Sequence, residues 1–90
     1  MWVEVKVTVP NTEGLHARPA RDLWETARKF AAEVRIVHGR VEADAKSIFD
    51  IMTLDAAQGT ELLVRACGAD AEAAAEAGVK LIASGFKLKS

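Results

Sequence analysis

A single cysteine, Cys67, is all the thiol the chain has. One thiol cannot close an internal disulfide, and no Cys-x-x-Cys or metal-ligand spacing surrounds it, so neither a disulfide framework nor a metal is expected. Long apolar runs are missing as well. None approaches the ~20 residues that span a bilayer, so any membrane contact is expected to be indirect. No charged-then-apolar leader opens the chain, which makes the cytoplasm the expected compartment. An excess of either charge is also absent: 12 Lys and Arg stand against 13 Asp and Glu, for a formal net charge of −1. The basic side chains are spread along the chain, which points away from a nucleic-acid binder. There is no internal repeat, no linker and no low-complexity tract beyond an alanine-rich start to the last helix. What remains is 90 residues, 50% apolar and 28% charged, enough for a single domain over residues 1–90 around one core.

From Trp2 to Val9 the residues alternate, Val3, Val5, Val7 and Val9 on one side and Trp2, Glu4, Lys6 and Thr8 on the other, as a half-buried strand requires. Pro10 to Gly14 break the pattern with turn formers. Ala20, Leu23, Trp24, Ala27 and Ala31 then recur at helical spacing, which predicts an amphipathic helix over 17–31. Glu33–His38 alternates with Val34 and Ile36 inward, and Gly39-Arg40 reads as a tight turn into Val41, Ala43 and Ala45. His38 reads as an exposed strand-end residue. Ser47, with Asp50 three residues later, resembles a capping box at the start of a short helix running to Leu54. Ile51 and Leu54 are assigned to the core, Ile48 and Phe49 to the surface. Thr60–Cys67 is a further strand with Leu62, Val64 and Ala66 inward, and Asp70 reads as the N-cap of a helix from Ala71 to Ser84. Gly85 is a natural left-handed stop, with Phe86 folding back on the last turn. The order β-α-β-β-α-β-α, with one apolar face per strand, predicts an α+β fold: a four-stranded antiparallel sheet covered on one face by helices, an open-faced sandwich.

The stretch Gly14-Leu15-His16-Ala17-Arg18-Pro19-Ala20 lies between the first strand and the first helix. Proline suits a first helical turn, where its missing N–H costs nothing. The helix therefore starts at about Ala17, and the unpaired N–H groups of Ala17 and Arg18 carry the positive end of its dipole beside His16. Imidazole, guanidinium and free amides together form a candidate site for a phosphoryl group on or next to the ring. Imidazole is a good nucleophile near neutral pH because its ordinary pKa of ~6.5 leaves about half or more of it uncharged.

GLHARPA after a first strand, AKSIFDIMTL before a short helix and QGTELLV before a last strand resemble the HPr phosphocarrier family, in the family's order and spacing and over nearly the whole chain. The resemblance implies a phosphocarrier of the phosphoenolpyruvate-dependent phosphotransferase system of sugar uptake. His16 would accept a phosphoryl group on Nδ1 from enzyme I and pass it to an enzyme IIA domain. It further implies that Arg18 faces the phosphate, that Ala17 and Pro19 form the phosphate-binding helix start, and that Ser47 is the site of regulatory phosphorylation in members that use it. Ile48, Phe49, Met52 and Thr53 match the family's partner-docking patch. Enzyme I, enzyme IIA domains, a serine kinase and regulatory proteins are the implied partners, no cofactor is implied, and the expected state is a monomer. Asn11-Thr12-Glu13-Gly14 also resembles members of the nitrogen-related branch, so a regulatory role through the phosphorylation state stands as the alternative. A histidine-nucleophile hydrolase is disfavoured, since no second acid or base is placed to position a water.

Overall fold

The structure is a computed structural model, and it describes residues 1–87. Chain order is β1 (Trp2–Thr8), α1 (Ala17–Ala27), β2 (Glu33–His38), β3 (Val41–Asp44), α2 (Ile48–Thr53), β4 (Glu61–Cys67) and α3 (Ala71–Ala83). The strands form one sheet in the order β1-β4-β2-β3, each neighbouring pair antiparallel. Register follows the sequence alternation. Val5 pairs with Val64 and Val64 with Ile36, so Val3, Val5, Val7, Leu62, Val64, Ala66, Val34, Ile36 and Ala43 share the helix-covered face. Their partners at odd register carry the charge on the open face, where Arg65 bridges Glu4 at 2.7 Å and Glu42 at 2.8 Å and lies over the Trp2 ring.

Helix α3 lies against β1, β4 and β2, α2 closes over β3, and α1 rests on both helices. Cover is thus shared among all three helices. Leu23, Ile36, Ile51, Leu62 and Ile82 are the largest fully buried side chains, and their burial at ~25 cal/mol per Å² is the main term holding the layers together. The approach of α3 to the sheet does not depend on Gly78: a Cβ there would stand 3.6 Å from Val64 Cγ1, an ordinary contact.

Several local expectations need correction. Helix α1 ends at Ala27, four residues before Ala31: the Lys29 and Phe30 N–H groups tighten onto the Thr26 and Ala27 carbonyls, each at 3.2 Å, and the Ala31 and Ala32 N–H groups then donate to Asp70 Oδ2 and Oδ1 at 2.9 and 2.7 Å. Ala31 is accordingly exposed and Trp24 only half-buried. By the same contacts Asp70 occupies the cap position of α3 without a side-chain cap bond, and it ties the α1–β2 loop to α3 instead. The capping box at α2 is one-sided. Ser47 Oγ accepts from the Asp50 N–H at 3.3 Å, whereas the Asp50 carboxylate turns to the Asp44 N–H. His38 is half-buried, not an exposed strand end, since its register puts it on the covered face, with Nδ1 2.8 Å from the Leu54 carbonyl. The end of α3 is as expected: Gly85 N–H donates to Ile82 and Phe86 N–H to Leu81, and Phe86 is buried.

Candidate functional site at the start of helix α1

His16 occupies the N-cap of α1 in extended conformation (φ −83°, ψ −165°). Its carbonyl accepts from the Ala20 N–H at 2.9 Å, while its side chain makes no cap hydrogen bond and is exposed. Extended backbone at that point turns the chain into the helix and leaves the first-turn amides of Ala17 and Arg18 without intrahelical partners. Pro19 is fully buried and has no N–H to leave unpaired. Ring, amides and exposed Arg18 thus share one helix end, an arrangement that can hold an anion.

The loop that carries His16 is held from below by the segment leaving α2. Gly14 has φ +64°, and a Cβ on it would fall 2.3 Å from the Ala56 carbonyl oxygen, so only glycine fits this crossing. The Leu15 N–H donates to that same carbonyl at 2.9 Å, and Leu15 itself is buried. Asn11 Nδ2 donates to the Gly14 carbonyl at 2.9 Å and to Glu13 Oε1 at 3.2 Å. These bonds fix the approach to the histidine through backbone that sequence spacing does not reveal.

Helix α2 packs against α1 and, with its N-cap Ser47, carries Ile48, Phe49, Met52 and Thr53; the segment leaving it reaches the His16 loop at Ala56. Phe49 is 83% and Met52 42% exposed, and Thr53 is exposed, whereas Ile51 and Leu54 are buried. Ile48 is half-buried and packs on the core, so it anchors the helix as well as facing outward. Phe49 and Met52 thus leave apolar surface exposed on the outer side of this short helix.

Sequence spacing missed the surroundings of Arg18. Its Nη1 lies 2.8 Å from Asp22 Oδ2 and donates to the Phe86 carbonyl at 3.4 Å, while Nη2 lies 3.3 Å from Glu13 Oε2. Asp22, one helical turn on, was legible as an i,i+4 partner. Glu13 and Phe86 were not, because the first depends on loop geometry and the second lies 68 residues away. The Glu13 carboxyl is held below the usual carboxylate range, first by its own backbone N–H and then by Asn11 and Arg18. An open cleft beside the guanidinium is lined by Asn11, Glu13, Arg18, Ser84 and Lys87. No group of three or more metal-ligating side chains occurs among the described residues, and no helix among them is long and apolar enough to cross a membrane.

Comparison with known proteins agrees with this geometry. Residues 3–84 match the family model described as "PTS HPr component phosphorylation site". The phosphocarrier protein HPr of Buchnera aphidicola subsp. Baizongia pistaciae is 40% identical over 73 residues, 81% of this chain and 84% of that protein. The phosphocarrier protein NPr of Escherichia coli K12 is 39% identical over 87 residues, 96% of this chain and 97% of that one. The crystal structure of HPr-C-His from Thermoanaerobacter tengcongensis superposes with a TM-score of 0.91 at 39% identity, covering 98% of this chain and 99% of that one. With its open-faced sandwich, its histidine at the helix start and a family match across nearly its whole length, the chain belongs to the HPr family of phosphocarrier proteins.

Proposed function

We propose that His16 carries the phosphoryl group, taking it from phosphorylated enzyme I and giving it to an enzyme IIA domain. The observation that supports this most is the exposed imidazole at the N-cap of α1, free of any cap hydrogen bond and adjacent to the unpaired amides of Ala17 and Arg18. The unprotonated ring nitrogen, Nδ1 as the family resemblance implies, supplies the electron pair for a new N–P bond. The donor's bond to phosphorus breaks and its electron pair stays with the donor. Phosphorus keeps its oxidation state, and the proton on the other ring nitrogen stays in place.

Phosphoryl transfer asks mainly for in-line placement and charge stabilisation, so a small exposed site suffices when each partner completes it. The helix amides and Arg18 supply positive potential to the phosphoryl oxygens, and Pro19 holds the helix start. Phe49, Met52, Thr53 and the outward part of Ile48 form the docking patch, where the flexible thioether of Met52 adapts to more than one partner. Ser47, half-buried at the α2 cap, is a regulatory site only where a kinase reaches it. A phosphate there gains from the helix start and is opposed by Asp50 on the next turn.

The test is incubation with phosphoenolpyruvate and enzyme I. Wild type should acquire acid-labile phosphate on His16, and His16→Ala none, while His16→Ala melts with wild type because the exposed ring makes no structural bond. Label that persists in His16→Ala sinks the assignment. The nitrogen branch is a second reading, favoured by the NPr relative's alignment over 96% of the chain. Presenting the charged protein to enzyme IIA domains of both branches decides it by which one discharges it faster.

A further inference from the structure

The guanidinium meant to face the phosphoryl group is already occupied by acceptors. Asp22 takes Nη1 from the same helix at 2.8 Å, the Phe86 carbonyl takes it at 3.4 Å, and Glu13 takes Nη2 from the preceding loop at 3.3 Å. The three do not hold Arg18 in the same way. Asp22 lies one turn on in the same helix, so its contact with Nη1 is an i,i+4 pair that the helix itself maintains. Glu13 stands three residues before His16 in a loop whose geometry is fixed by Gly14 against Ala56 and by Asn11. Its contact with Nη2 is also the longer of the two carboxylate contacts, and both groups are about half exposed. A phosphoryl group arriving on His16 brings about two negative charges and three acceptor oxygens to this spot. Arg18 then has a third anionic claimant beside Asp22 and Glu13, and the weaker-held Glu13 repels the newcomer as well.

Resting on the reading of His16 as the phosphoryl carrier, we propose that Glu13 is a positioning residue that competes with the phosphoryl group for Arg18. Loading the carrier releases the Nη2 contact to Glu13, and unloading restores it. Asp22 keeps the side chain at the helix start throughout. The competition keeps the loaded state from becoming a trap: an arginine with no other partner stabilises phosphohistidine and opposes its discharge, whereas one that returns to Glu13 favours release. The ionised state of Glu13 that this needs is supplied by its own N–H, Asn11 and Arg18.

The experiment mixes equal amounts of wild type and Glu13→Gln with phosphoenolpyruvate-charged enzyme I in catalytic amount and reads the partition of label at equilibrium. Label should favour Glu13→Gln by roughly two- to fivefold, the range an exposed ion pair supports. Glu13→Asp, which keeps the charge, should stand closer to wild type. In an Arg18→Ala background the Glu13→Gln preference should shrink toward equal partition, a dependence that a merely structural role for Glu13 does not produce. Equal partition between labelled wild type and Glu13→Gln overturns the role of Glu13 and leaves the carrier reading intact. Wild type that takes no label overturns both.

Discussion

Gly14 shows how one residue sets the site. Its φ of +64° belongs to the left-handed region, and its missing Cβ leaves room for the Ala56 carbonyl, which would otherwise stand 2.3 Å away. Gly14→Ala is therefore expected to lose about 1–2 kcal/mol to backbone conformation alone, with a further loss as the loop lifts off Ala56. Urea unfolding checks the first effect, and slower phosphorylation of His16 the second. An unchanged midpoint would show that the close approach is not needed. Phe86 is also held at positive φ, +64°, and a bulky side chain there is strained. Burial of its ring and the two closing hydrogen bonds at the end of α3 hold it there, and that backbone presents a carbonyl to Arg18. The role of Gly85 as a helix stop was legible in the sequence. The reach of the next carbonyl to Arg18 was not, because it needs the turn after α3 to lie beside the start of α1.

Helix α2 divides its work between two faces. Ile51 and Leu54 enter the core while Phe49 and Met52 stay in water, so changes on the two faces should separate stability from transfer. Phe49→Glu is expected to leave the unfolding midpoint within about 0.5 kcal/mol, as for surface changes generally, and to raise KM for transfer from enzyme I and to enzyme IIA by about tenfold, as loss of a buried aromatic anchor does. Steady-state kinetics against both partners checks this, and unchanged KM would remove Phe49 from the interface. The capping signal read correctly in one arm only. Ser47 has its predicted bond from Asp50 N–H, but the return arm is lost to Asp44, a neighbour brought in by β3. Helix α1 shows the same limit: apolar spacing carries on to Ala31, yet the chain tightens onto i−3 carbonyls at Lys29 and Phe30, the helix ends at Ala27, and Asp70 takes the amides of residues 31 and 32.

Across the whole molecule, Asp70 joins the loop after α1 to the start of α3, and its protonation state bears on stability. Its carboxyl is held below the usual value of 3.8, first by the Ala31 N–H and then by the Ala32 N–H. A carboxyl whose folded pKa is depressed binds fewer protons in the folded than in the unfolded state over the intervening range. Its contribution is complete above the unfolded value and is lost as pH falls through the folded one. Stability should therefore drop as acid is added below about pH 5, and Asp70→Asn should be less stable at neutral pH and show a shallower acid decline. Urea midpoints across that range measure both, and a variant with the wild-type slope would remove Asp70 from the acid response. The Arg65 bridges to Glu4 on β1 and Glu42 on β3 reach from one edge of the sheet to the other, but all are exposed enough for salt to screen them.

The sequence by itself determined the strand and helix order, the inward face of each strand and the helix start at His16, Arg18 and Pro19. Alternation, turn formers and proline act over a few residues, so their signal is local. Only the tertiary structure decided where α1 ends, that His38 faces the helices, that the capping box is half made and that Gly14 rests on Ala56. It also decided that Arg18 is shared between Asp22, Glu13 and the Phe86 carbonyl. Each of these turns on a hydrogen-bonding group supplied by a distant part of the chain or by the course of a loop, and a buried or claimed polar group takes whatever partner the fold brings within about 3 Å.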